Sequence, residues 1–291
     1  MALPISVIIV NHNAGKALVD CVGSVKEAQQ IIVVDNASQD NSLSLLKPSK
    51  NLQVIRAGKN LGFAAGCNLG IAQATEAHLL FLNPDCKMSS QSLERLLQVL
   101  DSHPQAGMAG GLLLNEDGTE QGGGRRTLPS PWMAFVRAFG LHRLAKWFPR
   151  LFSDFYLHNQ PVPEGPTEVE AISGACMLVK KRALEDVGPW DEGYFLHCED
   201  LDWCMRFHKR GWKILFVPDA VVIHQKGVCS HARPVFVEWH KHKGMLRFYK
   251  KFFRERYSAL LWAGVVLGVW VRFCLVAVIK SSRLIFKRAE A

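Results

Sequence analysis

Short apolar runs alternate with amphipathic segments through the first half of the chain. The apolar runs have the length of buried strands, and they include ISVIIV, IIVVD, LQVIRA and HLLFLN. Helix-like patterns separate them over residues 15–28, 66–77 and 90–102. Short apolar strands that alternate with helices predict an α/β fold, with a Rossmann-like, mostly parallel sheet covered by helices.

This alternation is interrupted at residues 122–166, which contain a glycine run, several prolines and the aromatic and basic stretch WMAFVRAFGLHRLAKWF. We interpret the segment as an insertion of loops and a helix. After it, ACMLVKKRALEDVG predicts a strand that enters a helix, and EDLDWCMRFHKRGW predicts a helix that ends at Gly211. The stretch KILFVPDAVVIH predicts two short strands around Pro218, because proline interrupts a strand ladder.

The C-terminal segment has a different character. Basic and aromatic residues are mixed over 240–257, and residues 259–279 are apolar except for Arg272. A run of this length is close to the ~20 residues that cross a bilayer, but Arg272 would be costly at its centre. A full span, an interfacial hairpin and a buried core helix therefore stay open. We predict one catalytic domain over 1–236 and membrane-associating helices over 237–291.

Composition and charge add two points. The chain has 291 residues, of which 48% are hydrophobic and 21% charged, as expected for one or two globular domains. The net charge of +9 is concentrated between Arg233 and Arg256, where it suits an anionic membrane surface. The eight cysteines form no CxxC pair, which indicates reduced thiols in a cytosolic protein.

Polar side chains stand where the predicted strands end. Asn11 and His12 follow the first strand, Asp35 ends the second, and Asn83 and Asp85 flank a proline after HLLFL. Ligands of open α/β sheets bind at the carboxyl ends of the strands. A carboxylate and an amide oxygen are hard donors, suited to Mg²⁺ or Mn²⁺ held together with a diphosphate.

The loop GKNLGFAAGCN is a second candidate region. Its glycines allow the backbone to approach a ligand closely, and Asn60 and Asn68 lie beside Gly62 and Gly66. The spacing matches neither the dinucleotide-binding nor the Walker motif, so binding of a ligand in either of those modes is not supported.

A cluster of acids opens the helix predicted from HCEDLDWCMR. The helix dipole stabilises carboxylates at its start, which accounts for one or two of Glu199, Asp200 and Asp202. Aromatic and apolar neighbours surround them, and a partly desolvated carboxylate is suited to work as a general base. His224 closes the run AVVIH, and it gains importance only if it meets Asp85.

Seven stretches in this order resemble the family 2 nucleotide-sugar glycosyltransferases of the GT-A fold, in particular their bacterial rhamnosyltransferase-like branch. They are SVIIVNHN, VVDNASQD, NLGFAAGCN, FLNPD, SGACMLVKK, GPWDEGYFLHCEDLDWCMR and VPDAVVIH, and the resemblance runs from about Ile5 to Gln225.

The resemblance implies roles for individual residues. Asp200 would be the catalytic base, with Glu199 as the second candidate, and Asp85 and His224 would hold a divalent metal (Mg²⁺ or Mn²⁺). The family's first metal-binding aspartate is Asn83 here, which lowers the negative charge at the metal. The expected donor-binding set is Val10, Asn11, His12, Asp35, Asn60, Gly62, Asn68, Asn83 and Gly174.

The implied activity is inverting transfer of a sugar, with a rhamnose-like deoxyhexose favoured, from a dTDP- or UDP-sugar to a lipid-linked glycan. It would take place at the cytoplasmic face of the bacterial inner membrane, in the synthesis of cell-surface polysaccharide, with no nucleic-acid partner. A non-catalytic sugar-nucleotide or glycan-binding subunit is the main alternative. A nucleotidyltransferase is a weaker one, because VNHNAGK has only one glycine and one lysine for a triphosphate loop.

Overall fold

The computed structural model describes residues 2–152, 154–225 and 233–289, and the chain divides into two units. The first unit comprises Met1–Leu128, Tyr156–Gly193 and Glu199–Cys229. The second comprises Pro129–Phe155, Tyr194–Cys198 and Ser230–Ala291.

Strands and helices follow one another in the order that an α/β fold requires. The strands are β1 (Leu3–Asn11), β2 (Ala28–Asp35), β3 (Leu52–Arg56), β4 (His78–Leu82), β5 (Cys86–Met88), β6 (Ala106–Leu114), β7 (Arg125–Arg126), β8 (Thr167–Glu168), β9 (Ala171–Ile172), β10 (Cys176–Lys180) and β11 (Lys213–His224). The helices are α1 (Lys16–Ser24), α2 (Phe63–Ile71), α3 (Ser90–Ser102), α4 (Pro131–Ala138), α5 (Pro149–Phe152), α6 (Lys181–Val187), α7 (Glu199–Lys209), α8 (Pro234–Phe253) and α9 (Ala259–Ala289). Short 3₁₀ helices cover Leu141–Lys146 and Arg254–Arg256.

One large sheet organises the first unit, with the strand order β3-β2-β1-β4-β10-β6-β11-β5 and β8 beside β11. Strands β3, β2, β1 and β4 are parallel, as are β6 and β11, whereas β10, β5 and β8 run antiparallel to their neighbours. The predicted α/β class is confirmed, with a parallel-rich centre. The antiparallel strands are short, and their local sequence carries no signal of direction.

The register places the first two strand ends side by side. Asn11 pairs with Asp35 across β1 and β2, and Ile8 pairs with Phe81 across β1 and β4. The carboxyl ends of these parallel strands therefore share one edge of the sheet, as their sequence position predicts.

Two small residues allow α2 to pack closely on the sheet. A Cβ added to Gly66 would lie 2.7 Å from Val10 Cγ1, and one added to Gly70 would lie 2.4 Å from Ile8 Cγ2. The helix begins at Phe63, after Gly62 at φ 86°, and ends at Ile71, so it precedes the predicted 66–77. The glycine spacing in this stretch serves helix packing, which explains why the predicted start was late.

The predicted pair of strands around Pro218 is wrong in one respect. β11 is a single strand whose pairing with β6 shifts between Val217 and Val221. Pro218 lacks an N–H and cannot donate to the ladder, so the strand bulges there and continues. Gly111 of β6 accommodates the bulge, because a Cβ at this position would lie 2.1 Å from the Ala220 carbonyl oxygen.

In the second unit, α8 and α9 contact each other through aromatic and polar pairs. The Trp239 and Trp270 rings lie 4.9 Å apart, Arg272 Nη1 lies 2.9 Å from His242 Nε2, and Lys280 Nζ donates to Glu238 Oε1 at 2.8 Å. Much of the rest of α9 is apolar and exposed, including Leu260, Leu267, Leu275 and Val278. Within the described residues, one helix is long and apolar enough to cross a bilayer, over Ala259–Ser282.

Candidate active site

Asp85 and His224 come together at the edge where β4 ends. His224 Nε2 lies 3.2 Å from Asp85 Oδ1, and both side chains are at most 10% exposed. Their backbones are also joined, because β5 pairs with β11 at Cys86 and His224 and the Gln225 N–H donates to the Asp85 carbonyl at 2.9 Å. His224 therefore contacts Asp85, which is the condition under which the sequence made His224 a candidate ligand.

Gln121 sets the proton position on His224. Its Nε2 donates to Asn115 Oδ1 at 3.0 Å and to the His224 carbonyl at 3.4 Å, so its Oε1 faces His224 Nδ1 at 2.7 Å. Nδ1 must then carry a hydrogen, which leaves Nε2, on the side of Asp85, as the ring nitrogen that could bind a metal.

This donor set fits a divalent metal. An imidazole nitrogen and a carboxylate oxygen are both common metal ligands, and Nε2 and Oδ1 lie 3.2 Å apart, close enough to bind one ion together. Cys86 Sγ lies in the same cluster, but it points to the Ala175 carbonyl at 3.5 Å. Burial raises the pKa of the Cys86 thiol well above its ordinary value, so Cys86 is a poor ligand for a hard cation.

Asp200 lies in the first turn of α7 and accepts hydrogen bonds at both oxygens. Oδ2 accepts from Arg126 Nη2 at 2.5 Å and from the Gly174 N–H at 3.2 Å, and Oδ1 accepts from the Leu201 N–H at 2.8 Å. Burial raises the pKa of Asp200, but the charge and hydrogen bond of Arg126 outweigh burial and hold it below the ordinary value. The carboxylate is therefore ionised at neutral pH.

Arg126 reaches Asp200 from β7, and it also donates to the Ile172 carbonyl at 3.1 Å. The side chains of Arg126 and Asp200 are 12% and 14% exposed. Among the described residues, the buried Arg126 Nε has no hydrogen-bond partner. The guanidinium is thus fixed at Nη2, and its buried Nε–H could donate to another acceptor.

The two neighbouring acids of α7 are in different surroundings. Asp202 is fully buried and accepts from Arg206 Nε at 2.8 Å, one turn along the helix. Glu199 is 7% exposed, and its charge adds to the rise in the pKa of the Cys67 thiol that burial produces. Asp202 therefore has a structural ion pair, which leaves Asp200 and Glu199 as the two candidates for a general base.

A three-residue segment before β10 connects Asp200 to the end of β4. The Gly174 N–H donates to Asp200, and the carbonyl of the next residue, Ala175, accepts from the Asn83 N–H at 2.9 Å. A Cβ at Gly174 would lie 3.4 Å from Asp200 Cβ, which is an ordinary van der Waals contact and shows how closely the two residues pack. The predicted base therefore contacts Gly174, and the predicted metal-binding turn contacts the adjacent residue, Ala175.

The ends of β1 and β2 form a separate hydrogen-bonded group. Asn11 Nδ2 donates to Asp35 Oδ1 at 3.0 Å and to the hydroxyls of Ser38 and Ser42 at 3.0 and 2.9 Å. His12 Nδ1 lies 2.9 Å from the Asn36 carbonyl. Asp35 is 5% exposed and Val10 is 7% exposed. These residues stand at the predicted nucleoside edge, and their contact with a donor stays a prediction.

The glycine-rich loop is fixed by asparagine side chains. Asn60 Oδ1 accepts from the Gly62 N–H at 3.0 Å, and Asn36 Nδ2 donates to the Gly62 carbonyl at 2.8 Å. Asn68 bonds at both ends of its amide, donating to Glu192 Oε1 at 2.8 Å and accepting from the Trp190 N–H at 3.0 Å. Asn68 therefore ties α2 to a neighbouring loop, and its donor-binding role stays a prediction.

Arg126 and Gln121 are the residues that sequence analysis missed. The predicted insertion began at 122, yet β7 lies inside it and pairs with β9. Two adjacent arginines after a glycine run, and a lone glutamine before it, carry no distinguishing local signal. Their importance arises from contacts with Asp200 and His224, which are about 74 and 103 positions away in the sequence.

Two models of known protein families match the chain. The family model described as glycosyl transferase family 2 matches residues 6–188, and the model described as glycosyl transferase family group 2 matches residues 134–286. The first match covers the ends of both predicted nucleoside strands, the Asn83–Asp85 turn and Gly174, whereas Asp200 and His224 lie beyond it.

Two curated bacterial proteins are similar over most of their length. The chain is 29% identical over 237 residues to the N-acetylglucosaminyl-diphospho-decaprenol L-rhamnosyltransferase of Mycobacterium tuberculosis, covering 76% of this chain and 75% of that protein. It is 27% identical over 230 residues to the rhamnosyltransferase WbbL of Escherichia coli K12, covering 75% of this chain and 82% of the relative.

Solved structures support the fold. The crystal structure of GalNAc-T7 with UDP, GalNAc and Mn²⁺ matches at a TM-score of 0.62 and 17% identity, over 86% of this chain. The chain spans about half of that protein's length, since 48% of it is covered. At this identity the match shows the architecture alone. The family models and the fold agree, and the chain belongs to glycosyl transferase family 2.

Proposed function

We propose that the protein is an inverting glycosyltransferase that moves a rhamnose-like deoxyhexose from a nucleoside-diphosphate sugar to a hydroxyl of a lipid-linked glycan. The observation that carries this proposal is the ionised Asp200 carboxylate, joined through Gly174 and Ala175 to the Asn83–Asp85 turn. A base and a diphosphate-binding turn are the two parts that such a transfer requires.

Asp200 takes the role of general base. An acceptor hydroxyl would donate to Asp200 Oδ1 or Oδ2 and lose its proton there as it attacks the anomeric carbon. A single displacement inverts the configuration at that carbon, because the acceptor attacks from the face opposite the leaving diphosphate. Neither acceptor attack nor departure of the diphosphate requires a nucleophilic side chain.

Asp85 and His224 would hold a divalent cation, Mg²⁺ or Mn²⁺, with Gln121 orienting the imidazole. When bound, the ion supplies Lewis-acid stabilisation of the diphosphate leaving group. Asn83, which stands where the family has an acid, leaves the site with one negative charge fewer. The nucleoside would lie along the ends of β1 and β2, beside Asn11, His12 and Asp35.

The acceptor and location are inferred from two supports. The M. tuberculosis relative is named for a diphospho-decaprenol acceptor, and α9 offers an apolar helix over Ala259–Ser282. We infer an acceptor carried on a polyprenyl diphosphate, and an enzyme attached to the cytoplasmic face of the bacterial inner membrane. The product would be part of a cell-surface polysaccharide.

The decisive experiment incubates the full-length protein with a panel of dTDP- and UDP-sugars, Mn²⁺ and N-acetylglucosaminyl-diphospho-polyprenol in detergent. We expect transfer from dTDP-rhamnose, with inverted anomeric configuration by NMR. If the protein binds the donor but neither transfers nor hydrolyses its sugar, the non-catalytic binding subunit would be favoured instead. Retention of configuration would contradict the assignment of Asp200 as base of a single displacement.

A further inference from the structure

The segment 131–152 forms an ordered helical element, here called the aromatic–basic hairpin. It contains α4, the 3₁₀ helix at Leu141–Lys146 and α5. Trp132 Nε1 donates to the Leu151 carbonyl at 2.7 Å, which joins the first helix to the last, and Arg137 pairs with Asp154 beyond its end. Gly140 sits between the helices at φ 69°, a turn conformation that favours glycine.

Large apolar side chains on this hairpin are exposed to water. The exposed fractions are 47% for Trp132, 45% for Phe135, 65% for Phe139, 67% for Trp147, 58% for Phe148 and 57% for Leu151. The rings of Trp132, Phe135 and Phe139 form a connected series, with Trp132 and Phe135 stacked at 5.5 Å and Phe135 and Phe139 at 4.6 Å. A connected apolar patch of this kind marks an interaction surface.

The charges of the hairpin have one sign. Residues 131–152 include Arg137, Arg143, Lys146 and Arg150 but no acidic residue. Arg143, Lys146 and Arg150 are exposed. Aromatic rings prefer the headgroup level of a bilayer, and lysine and arginine prefer its phosphates. Protein interfaces are also enriched in aromatic residues and arginine, but they are depleted in lysine and in charge at their core.

We propose that the aromatic–basic hairpin docks on an anionic lipid surface, as a membrane contact separate from α9. The proposal does not depend on sugar transfer, since it follows from exposure and charge alone. It assigns a function to the stretch WMAFVRAFGLHRLAKWF, which contains none of the proposed catalytic residues. The apolar rings would lie among the headgroups, with the three exposed cations beside lipid phosphates.

Tryptophan quenching by brominated lipids tests this placement on the full chain. The protein is bound to vesicles of phosphatidylcholine and phosphatidylglycerol with brominated acyl chains, and the quenched fraction of its fluorescence is measured. If Trp147 lies in the lipid, Trp147→Phe removes a quenched emitter and the fraction falls. If Trp147 remains in water, the same change removes an unquenched emitter and the fraction rises, which overturns the proposal.

Trp212→Phe is the matched control, because Trp212 lies in the first unit and donates to Asp186 at 2.8 Å on an exposed surface. Its replacement should raise the quenched fraction. Light scattering without lipid gives a second check. A dimer that Trp147→Ala dissociates, together with an unquenched Trp147 on vesicles, would assign the hairpin to self-association and overturn lipid docking.

The charge contribution is tested by a second set of variants. Replacing Arg143, Lys146 and Arg150 with Gln should weaken binding to phosphatidylglycerol vesicles by about fivefold for each charge. Binding to pure phosphatidylcholine should not change. The control replaces the exposed residues Lys26, Lys47 and Lys50 with Gln. Equal losses from both sets would show that net charge alone drives binding, which would contradict a specific role for the hairpin.

Discussion

Arg126 Nη2 and Asp200 Oδ2 lie 2.5 Å apart in a nearly buried ion pair at the start of α7. The pair lowers the pKa of Asp200, although burial acts in the opposite direction. A carboxylate that is already bonded to an arginine is a weaker base than a solitary one. An acceptor hydroxyl must therefore compete with Arg126 for the carboxylate or use its other oxygen.

Replacing the proposed base, Asp200, should remove transfer and spare donor binding. Asp200→Asn keeps the size of the side chain but cannot take a proton, so turnover should fall by ~10²–10⁴-fold. Donor affinity, measured by calorimetry, should stay within a few fold of the parent. Glu199→Gln is the matched control and should retain most activity. An Asn variant as active as the parent would transfer the role to Glu199.

Removing Arg126 should shift the pH profile. In Arg126→Gln, burial continues to raise the pKa of Asp200 while the opposing charge is gone, so the acidic limb of kcat/KM should move to higher pH. Tyr156 and the Cys204 thiol also face this pair. Arg126→Lys keeps the charge and should shift the limb less. An unchanged limb in Arg126→Gln would contradict control of Asp200 by this arginine.

The same pair has a consequence for stability. Because the folded-state pKa of Asp200 lies below its ordinary value of 3.8, the pair stabilises the fold above that pH and is lost as pH falls through the lowered pKa. At neutral pH, Arg126→Gln leaves a buried carboxylate unpaired and should cost about 3 kcal/mol. Urea unfolding at pH 7 measures this, and Arg126→Gln combined with Asp200→Asn should recover part of the loss.

Transfer should require a divalent cation held by Asp85 and His224. Asp85→Ala and His224→Ala should each raise the Mn²⁺ concentration needed for half-maximal activity. Glu164→Ala, at an exposed site, is the control and should behave like the parent. Full activity in excess EDTA would refute the metal assignment.

Gln121 should affect metal affinity without touching the ion. Gln121→Leu removes the acceptor that fixes His224 Nδ1–H, which should weaken Mn²⁺ binding by about 10–100-fold. Electron paramagnetic resonance of free Mn²⁺ measures the affinity directly, and ¹⁵N NMR reports the imidazole tautomer. Asn115→Ala loosens Gln121 at one contact and should give a smaller effect. If the His224 tautomer changes but the Mn²⁺ affinity stays at the parent value, the predicted effect of Gln121 on metal binding is wrong.

Truncation tests the membrane segment. Removing the residues after Val237 should abolish the attachment made by α9 and leave a donor-binding domain that binds anionic membranes only through the salt-sensitive contact of the aromatic–basic hairpin, because all the described strands precede this point. The cut falls inside α8, four residues after it begins at Pro234. Fractionation in low salt, high salt and detergent distinguishes interfacial attachment from a span. A full-length chain that is soluble in low salt would refute membrane association.

The parallel half of the sheet was predictable because its strands carry their own signal. Apolar runs such as ISVIIV end in polar residues at the edge where Asn11 meets Asp35. The antiparallel insertion of β10 between β4 and β6 depends on contacts across nearly a hundred residues, and local sequence does not encode it. For the same reason, the sequence neighbours of Asp200 made it a candidate base, whereas nothing in the local sequence singled out Arg126.

The contacts between α8 and α9 limit which sequences could replace α9. Lys280 donates to Glu238, and Arg272 meets His242, both on α8. Glu238 is 8% exposed, and burial works against its charge while Lys280 favours it. A polyleucine helix grafted in place of α9 would supply the apolar surface but would leave the Glu238 carboxylate without Lys280. A functional chimeric protein would therefore need both α8 and α9 from this chain.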